Sequence, residues 1–139
     1  MQYRSIIEHP NNQKISDRCE VEVIHECLFS EETYTFIHKQ YGKMEVSFKN
    51  GKVNLSYGYS NLEMILNQKH SIVYNTAYGQ MNLVVYLKKM SKSNQSVHLV
   101  YYLYDGDAIL SKCYFMLDEI NPILSWLFAL FWIVFICWN

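Results

Sequence analysis

Residues 44–57 read MEVSFKNGKVNLSY. Apolar and polar residues alternate on both sides of Asn50-Gly51, which is the period of a half-buried β-strand. The Asn-Gly pair favours the positive φ angles of a two-residue type I′ turn, whose twist matches that of the strands it joins. Such a turn pairs Phe48 with Val53 and puts every apolar side chain of the stretch on one face. The stretch therefore predicts an antiparallel β-hairpin.

The same alternation continues through most of the chain. Short alternating segments are separated by turn-type residues at a spacing of about 8–12 residues, with no helical period between them. The chain has twelve tyrosines, and aromatic residues favour strands. These features predict an all-β domain over residues 1–118, an antiparallel barrel of about 8–10 strands. We expect the following side chains to lie inside it: Val46, Phe48, Val53, Leu55, Leu83 and Val85.

Length and charge limit the class of protein. The 139 residues suffice for one domain and a short appendage, and 12 basic residues nearly balance 13 acidic ones. This balance argues against a nucleic-acid scaffold. The aromatic strands could stack bases, but the sequence shows no basic stripe beside them. We therefore expect no nucleic-acid partner, and tyrosines that fill the barrel.

The four cysteines give no sign of a disulfide framework. No two of them have CxxC spacing, since they lie at Cys19, Cys27, Cys113 and Cys137. This favours the interpretation that they are small buried side chains in a reducing compartment. The N-terminal residues contain no apolar run of signal-peptide length. We expect the domain to lie in the cytoplasm.

One pair of residues could contribute to a metal site. His25 and Cys27 are two residues apart and would share a face of a strand. No second half with ligand spacing accompanies them, so an edge histidine and a buried thiol are the preferred interpretation. The sequence also lacks a phosphate-binding loop and a GxSxG motif. We assign no catalytic, cofactor-binding or metal residues and no cofactor, and we favour a non-enzymatic role while leaving enzymatic activity open.

The order of elements resembles a known family. From Leu62 the chain predicts a strand, a short turn and a strand, followed by AYGQMNL at 77–83, a long strand, a polar loop and a tyrosine-rich hairpin. Together with Tyr41–Tyr57, this pattern resembles the DUF1934 family of small bacterial proteins over roughly residues 2–118. The resemblance implies a calycin-like (lipocalin-like) barrel and, by analogy, ligand binding. It implies no activity, and nothing in it calls for residues 121–139.

The end of the chain is very different in composition. Residues 121–139 read NPILSWLFALFWIVFICWN, with no charge after Glu119. Asn121-Pro122 is a good helix start, and a helix from there would be apolar all round. We expect residues 119–139 to form an apolar helical segment that anchors the chain in a membrane. The lipid-facing side chains would be Ile123, Trp126, Leu127, Phe128, Leu130, Phe131, Trp132, Ile133, Val134, Phe135, Ile136 and Trp138.

Length leaves other interpretations of this segment open. The sixteen residues from Ile123 to Trp138 would span roughly 24 Å as a helix, against roughly 30 Å for a bilayer core. The segment could instead pack on the barrel, bind a partner protein or arise from a shifted reading frame. In the first two cases the protein would be soluble in the cytoplasm.

Two functional hypotheses follow. In the first, a non-enzymatic barrel binds a small apolar ligand or lipid at the cytoplasmic face of the membrane. In the second, the barrel is filled with side chains, and the protein is a structural or interaction protein whose tail packs on the barrel or docks to a partner. A cavity between the strands distinguishes them, because small barrels can be solid or can hold one ligand.

Overall fold

The computed structural model describes residues 1–58 and 60–119. These residues form eleven β-strands joined mostly by tight turns. In chain order the strands are β1 Gln2–Glu8, β2 Lys14–Glu20, β3 Ile24–Leu28, β4 Glu31–His38, β5 Gly42–Lys49, β6 Lys52–Tyr57, β7 Ser60–Ile65, β8 Lys69–Thr76, β9 Gly79–Lys92, β10 Ser96–Asp105 and β11 Ala108–Asp118.

The strands form two antiparallel sheets. A six-stranded sheet has the order β2-β1-β11-β10-β9-β8, and a five-stranded sheet has the order β3-β4-β5-β6-β7. At one corner the sheets are linked by an isolated bridge between Leu66 and Leu87, where the Asn67 N–H donates to the Leu87 carbonyl at 2.8 Å. Apolar side chains from both sheets form one shared core.

This architecture confirms an all-β antiparallel fold but corrects the predicted barrel of 8–10 strands. Within residues 1–58 and 60–119, a backbone ladder joins neither β2 to β3 nor β7 to β8. The alternation over residues 18–28 predicts one continuous strand, whereas the chain leaves one sheet at Glu20 and enters the other at Ile24. Val21 is buried at this crossing, and its backbone exchanges hydrogen bonds with Met1. Alternation alone does not reveal the crossing, because the pattern of side-chain burial continues through it.

The central hairpin has the predicted register. Phe48 pairs with Val53 and Lys49 with Lys52. Asn50 and Gly51 have φ angles of 51° and 77°, as a type I′ turn requires. All six side chains expected inside are buried in the core. The prediction of this hairpin is therefore confirmed.

Aromatic rings connect the two sheets at the centre of the core. The ring of Tyr3 on β1 lies 5.4 Å from that of Phe36 on β4 and 5.7 Å from that of Phe115 on β11. These centroid distances fall in the range of favourable edge and tilted contacts. The three rings are nearly fully buried, so this aromatic cluster contributes strongly to holding the sheets together.

A buried histidine joins the sheets on the side where no ladder closes them. His38 at the end of β4 contacts Asp17 of β2 through Nε2 and Oδ2 at 2.6 Å. Its Nδ1 accepts hydrogen bonds from the backbone N–H groups of Gln40 and Tyr41, at 3.0 and 3.2 Å. Because Nδ1 is an acceptor, the proton lies on Nε2 and is donated to Asp17. The turn after β4 therefore fixes the tautomer that bridges the two sheets.

Candidate functional site

A cavity of about 150 Å³ lies between the two sheets. Ser5 of β1 and Cys113 of β11 line it on one side, and Met44 and Leu55 line it on the other. Half of the twelve lining residues are tyrosines: Tyr3, Tyr41, Tyr57, Tyr74, Tyr101 and Tyr114, of which Tyr114 turns its ring towards Lys112 on the outer face of the sheet. Larger depressions on the outer surface of the five-stranded sheet are lined mainly by charged and polar residues. The inter-sheet cavity is therefore the site that offers both apolar walls and hydrogen-bonding groups.

Two of these tyrosines meet across the cavity. The hydroxyl of Tyr57 on β6 lies 2.9 Å from that of Tyr74 on β8, so the pair connects the two sheets through a hydrogen bond. Burial, reinforced by Tyr74, raises the pKa of Tyr57 far above its usual range. Burial likewise raises the pKa of Tyr101. These phenols stay protonated and neutral, so they can donate or accept a hydrogen bond.

The cavity contains no ionised group among the described residues that line it. Cys113 lies directly opposite Tyr101 on the neighbouring strand, and its Sγ is 3.6 Å from Ser111 Oγ. Burial raises the pKa of the Cys113 thiol, which makes it a poor nucleophile. With these neutral groups among the described residues that line it, the site is suited to binding a neutral molecule.

A second group of polar residues lies at the edge of the five-stranded sheet. On β3, His25 and Cys27 share a face, as expected, and they lie opposite Tyr34 and Glu32 of β4. His25 Nε2 is 2.8 Å from Glu32 Oε1 and 3.6 Å from Cys27 Sγ. His25 is on an edge strand as predicted, but Cys27 is exposed and is not the buried thiol that we expected.

Glu32 is the ligand-type residue that sequence reasoning missed. The polar run Ser30-Glu31-Glu32 predicts a break between strands, whereas β4 already begins at Glu31. The turn is made by Phe29 and Ser30, both at positive φ, 48° and 68°. This conformation is that of a type I′ turn, for which Phe-Ser is an unusual sequence. Recognising a two-residue turn at Phe29-Ser30 would have given the strand register, in which Glu32 lies opposite Cys27.

The Glu32 carboxylate is tightly held. The Tyr34 hydroxyl donates to Oε1 at 2.6 Å, and the Lys92 ammonium donates to Oε2. Burial would raise the pKa of Glu32, but the hydrogen bonds from Lys92, Tyr34 and His25 outweigh it and lower the pKa to about 2. The carboxylate is therefore ionised at neutral pH.

The expectation that tyrosines fill the interior holds only in part. Tyr3, Tyr34 and Tyr101 are buried, but another set is half-exposed on the outer face of the six-stranded sheet: Tyr86, Tyr102, Tyr104 and Tyr114. Lysines cover these outer rings, with Lys88 and Lys112 at 5.6 and 5.7 Å from the Tyr102 centroid. These two lysines lie on the strands next to that of Tyr102, so they are not adjacent to it in the sequence.

Comparison with known proteins supports the fold. No family model and no curated protein sequence matches the chain. A solved structure, the crystal structure of the ywiB protein from Bacillus subtilis, resembles it with a TM-score of 0.62 and 14% sequence identity. The likeness covers 86% of this chain and 89% of that one. At this identity the likeness shows a shared small β-rich fold alone.

The predicted membrane-anchor residues between Ile123 and Trp138 lie outside the described residues. Within residues 1–58 and 60–119 no helix is long and apolar enough to cross a membrane.

Proposed function

We propose that the chain is a calycin-like ligand-binding protein that takes a small, neutral, ring-sized molecule between its two sheets. The observation that carries this proposal is the cavity of about 150 Å³ with neutral phenol groups in its walls. An engineered protein cavity of about 150 Å³ is known to hold benzene, so the volume suits a single ring. The all-β fold of the chain and the order of its strands also support the proposal that it is a divergent relative of the DUF1934 family.

The chemistry of the walls selects a neutral ligand. A buried ion without a partner charge is strongly disfavoured, and the described lining residues carry no charge. The hydroxyls of Tyr57, Tyr74 and Tyr101 can each exchange a hydrogen bond with one polar atom of a ligand. We therefore expect an aromatic or cyclic compound with a hydroxyl or carbonyl group.

Isothermal titration calorimetry of the full chain tests this proposal with benzyl alcohol, benzoate and benzylamine as probes. Benzyl alcohol should bind, and the two charged probes of similar size should not. Ser5→Leu places a larger apolar side chain in the cavity and should abolish binding. Tyr74→Phe keeps the ring and removes the hydroxyl that faces Tyr57, so it should weaken binding without abolishing it.

The matched control is Ser16→Leu, because Ser16 is exposed on β2 and does not line the cavity. This variant should bind benzyl alcohol as the unaltered protein does. Equal binding by Ser5→Leu, or no binding of benzyl alcohol by the unaltered chain, would contradict the proposal. The second result would favour the alternative of a structural or interaction protein with a filled interior.

We further propose that the apolar residues 119–139 attach the domain to the cytoplasmic face of a membrane, with lipid as the partner. The uninterrupted apolar run from Leu127 to Cys137 supports this, because such side chains favour insertion into a membrane. Two arginines placed at the centre of a membrane-spanning segment are strongly disfavoured. Full-length protein should sediment with carbonate-washed membranes, and the double variant Leu130→Arg, Ile133→Arg should not.

The control for added charge places two arginines at Gln80 and Asn82, which are exposed on β9. This control should still sediment with membranes. Full-length protein that stays in the supernatant without aggregating would contradict attachment by the tail.

A further inference from the structure

Three ligand-type atoms of different chemistry converge at the edge of the five-stranded sheet. His25 Nε2, Cys27 Sγ and a Glu32 carboxylate oxygen all lie within 4.8 Å of one another. His25 and Cys27 come from alternate positions of β3, and Glu32 comes from the paired position on β4. An antiparallel register places such residues on the same face, so the convergence follows from the backbone.

The arrangement differs from that of a catalytic triad. In a Cys-His-acid triad, one ring nitrogen faces the nucleophile and the other faces the acid. Here one atom, His25 Nε2, faces both Cys27 Sγ at 3.6 Å and Glu32 Oε1 at 2.8 Å. Donors that point to one location are what a single ion requires.

The separation of His25 Nε2 and Cys27 Sγ is close to that in a tetrahedral zinc site. Ideal Zn–S and Zn–N bonds of about 2.3 and 2.0 Å put S and N about 3.5 Å apart, and the observed separation is 3.6 Å. The shorter gap between His25 Nε2 and Glu32 Oε1 holds a proton in a hydrogen bond. An ion that replaces this proton would widen the gap by roughly half an ångström.

Surrounding groups already fix two of the three donors. The His25 ring stacks on the Tyr34 ring with centroids 4.2 Å apart and planes inclined by 6°. The Tyr34 hydroxyl donates to Glu32 Oε1, and Lys92 donates to Oε2. Outer groups of this kind orient ligands and tune affinity in metal sites.

We propose that His25, Cys27 and Glu32 bind one Zn²⁺ per chain, with water as the fourth ligand. Soft thiolate, imidazole and carboxylate together suit zinc better than calcium or magnesium. Cys27 loses its thiol proton to solvent on binding, and the proton on His25 Nε2 is exchanged for one on Nδ1. The exposed position of Cys27 leaves the fourth ligand open to exchange. Tyr34 is a positioning residue, because it acts on the ion through Glu32.

Cobalt and zinc titrations of the purified, metal-free full chain test the site. Co²⁺ should give a thiolate-to-metal charge-transfer band and the intense visible bands of tetrahedral coordination, saturating at one ion per chain. Zn²⁺ should displace it with a dissociation constant of about 10 μM or tighter. Cys27→Ser should remove the charge-transfer band, and His25→Ala and Glu32→Gln should each weaken Zn²⁺ binding by at least about tenfold.

Two control variants share the chemistry without the convergence. Cys19→Ser alters another strand cysteine, and His70→Gln alters a histidine whose Nε2 is 3.9 Å from a carboxylate oxygen of Glu63. Both should bind metal as the unaltered chain does. Tyr34→Phe should keep the band but weaken Zn²⁺ binding by about tenfold. A missing band in the unaltered chain, or one that survives Cys27→Ser, would overturn the proposal. One ion shared by two chains would overturn the single-chain site.

Discussion

Replacing Phe36 with alanine should lower the free energy of unfolding by about 3–5 kcal/mol. The Phe36 side chain is 2% exposed, and its ring packs against Tyr3 and Phe115 of the opposite sheet. Alanine would remove these contacts and leave a cavity that close-packed strands cannot fill by relaxing. The two sheets depend on such contacts, because in the described part of the chain backbone ladders do not join them at the β2–β3 side.

Urea unfolding followed by far-UV circular dichroism measures this loss, because the strands lose their signal when the domain unfolds. Ile37→Ala is a matched control on the same strand, since Ile37 is 67% exposed and points away from the core. We expect that control to change stability by less than about 0.5 kcal/mol. Similar losses from the two variants would contradict the placement of Phe36 between the sheets.

The sequence predicts the parts of the fold that local chemistry determines. At Asn50-Gly51 the turn residues and the alternating pattern favour the same register, and the observed pairs are the expected ones. Leu83 and Val85 are buried because β9 alternates strictly at that point. Each of these features depends on residues close together in the chain.

Features that depend on distant pairing could not be predicted in this way. The crossing between β2 and β3 involves Val21 and Met1, which are far apart in sequence but bonded through their backbones. The cavity depends on Tyr57 meeting Tyr74 from the other sheet. Glu32 reaches Lys92, sixty residues away, through a contact that no local pattern encodes.

The buried histidine gives a second prediction of large effect. His38→Phe should lower the free energy of unfolding by about 2–3 kcal/mol. Phenylalanine keeps the ring beside Tyr3 and Tyr41. It removes the acceptor for two backbone N–H groups and the donor to Asp17. The loss would therefore report the polar contacts of His38 and not its packing, and urea unfolding measures it.

Two further variants show which of these contacts matters. Asp17→Asn keeps an acceptor for the Nε2–H of His38, so it should cost less than about 1 kcal/mol if the histidine is neutral, as the bonds to Nδ1 require. His70→Phe alters a half-exposed histidine near Glu63 and should change stability by less than about 0.5 kcal/mol. A cost for Asp17→Asn equal to that for His38→Phe would mean that a charged pair joins the sheets. If Asp17→Asn costs little while His38→Phe shows the full loss of unfolding free energy, the important contacts are the hydrogen bonds from Gln40 and Tyr41 to Nδ1. The turn that they hold would then stabilise this side of the fold.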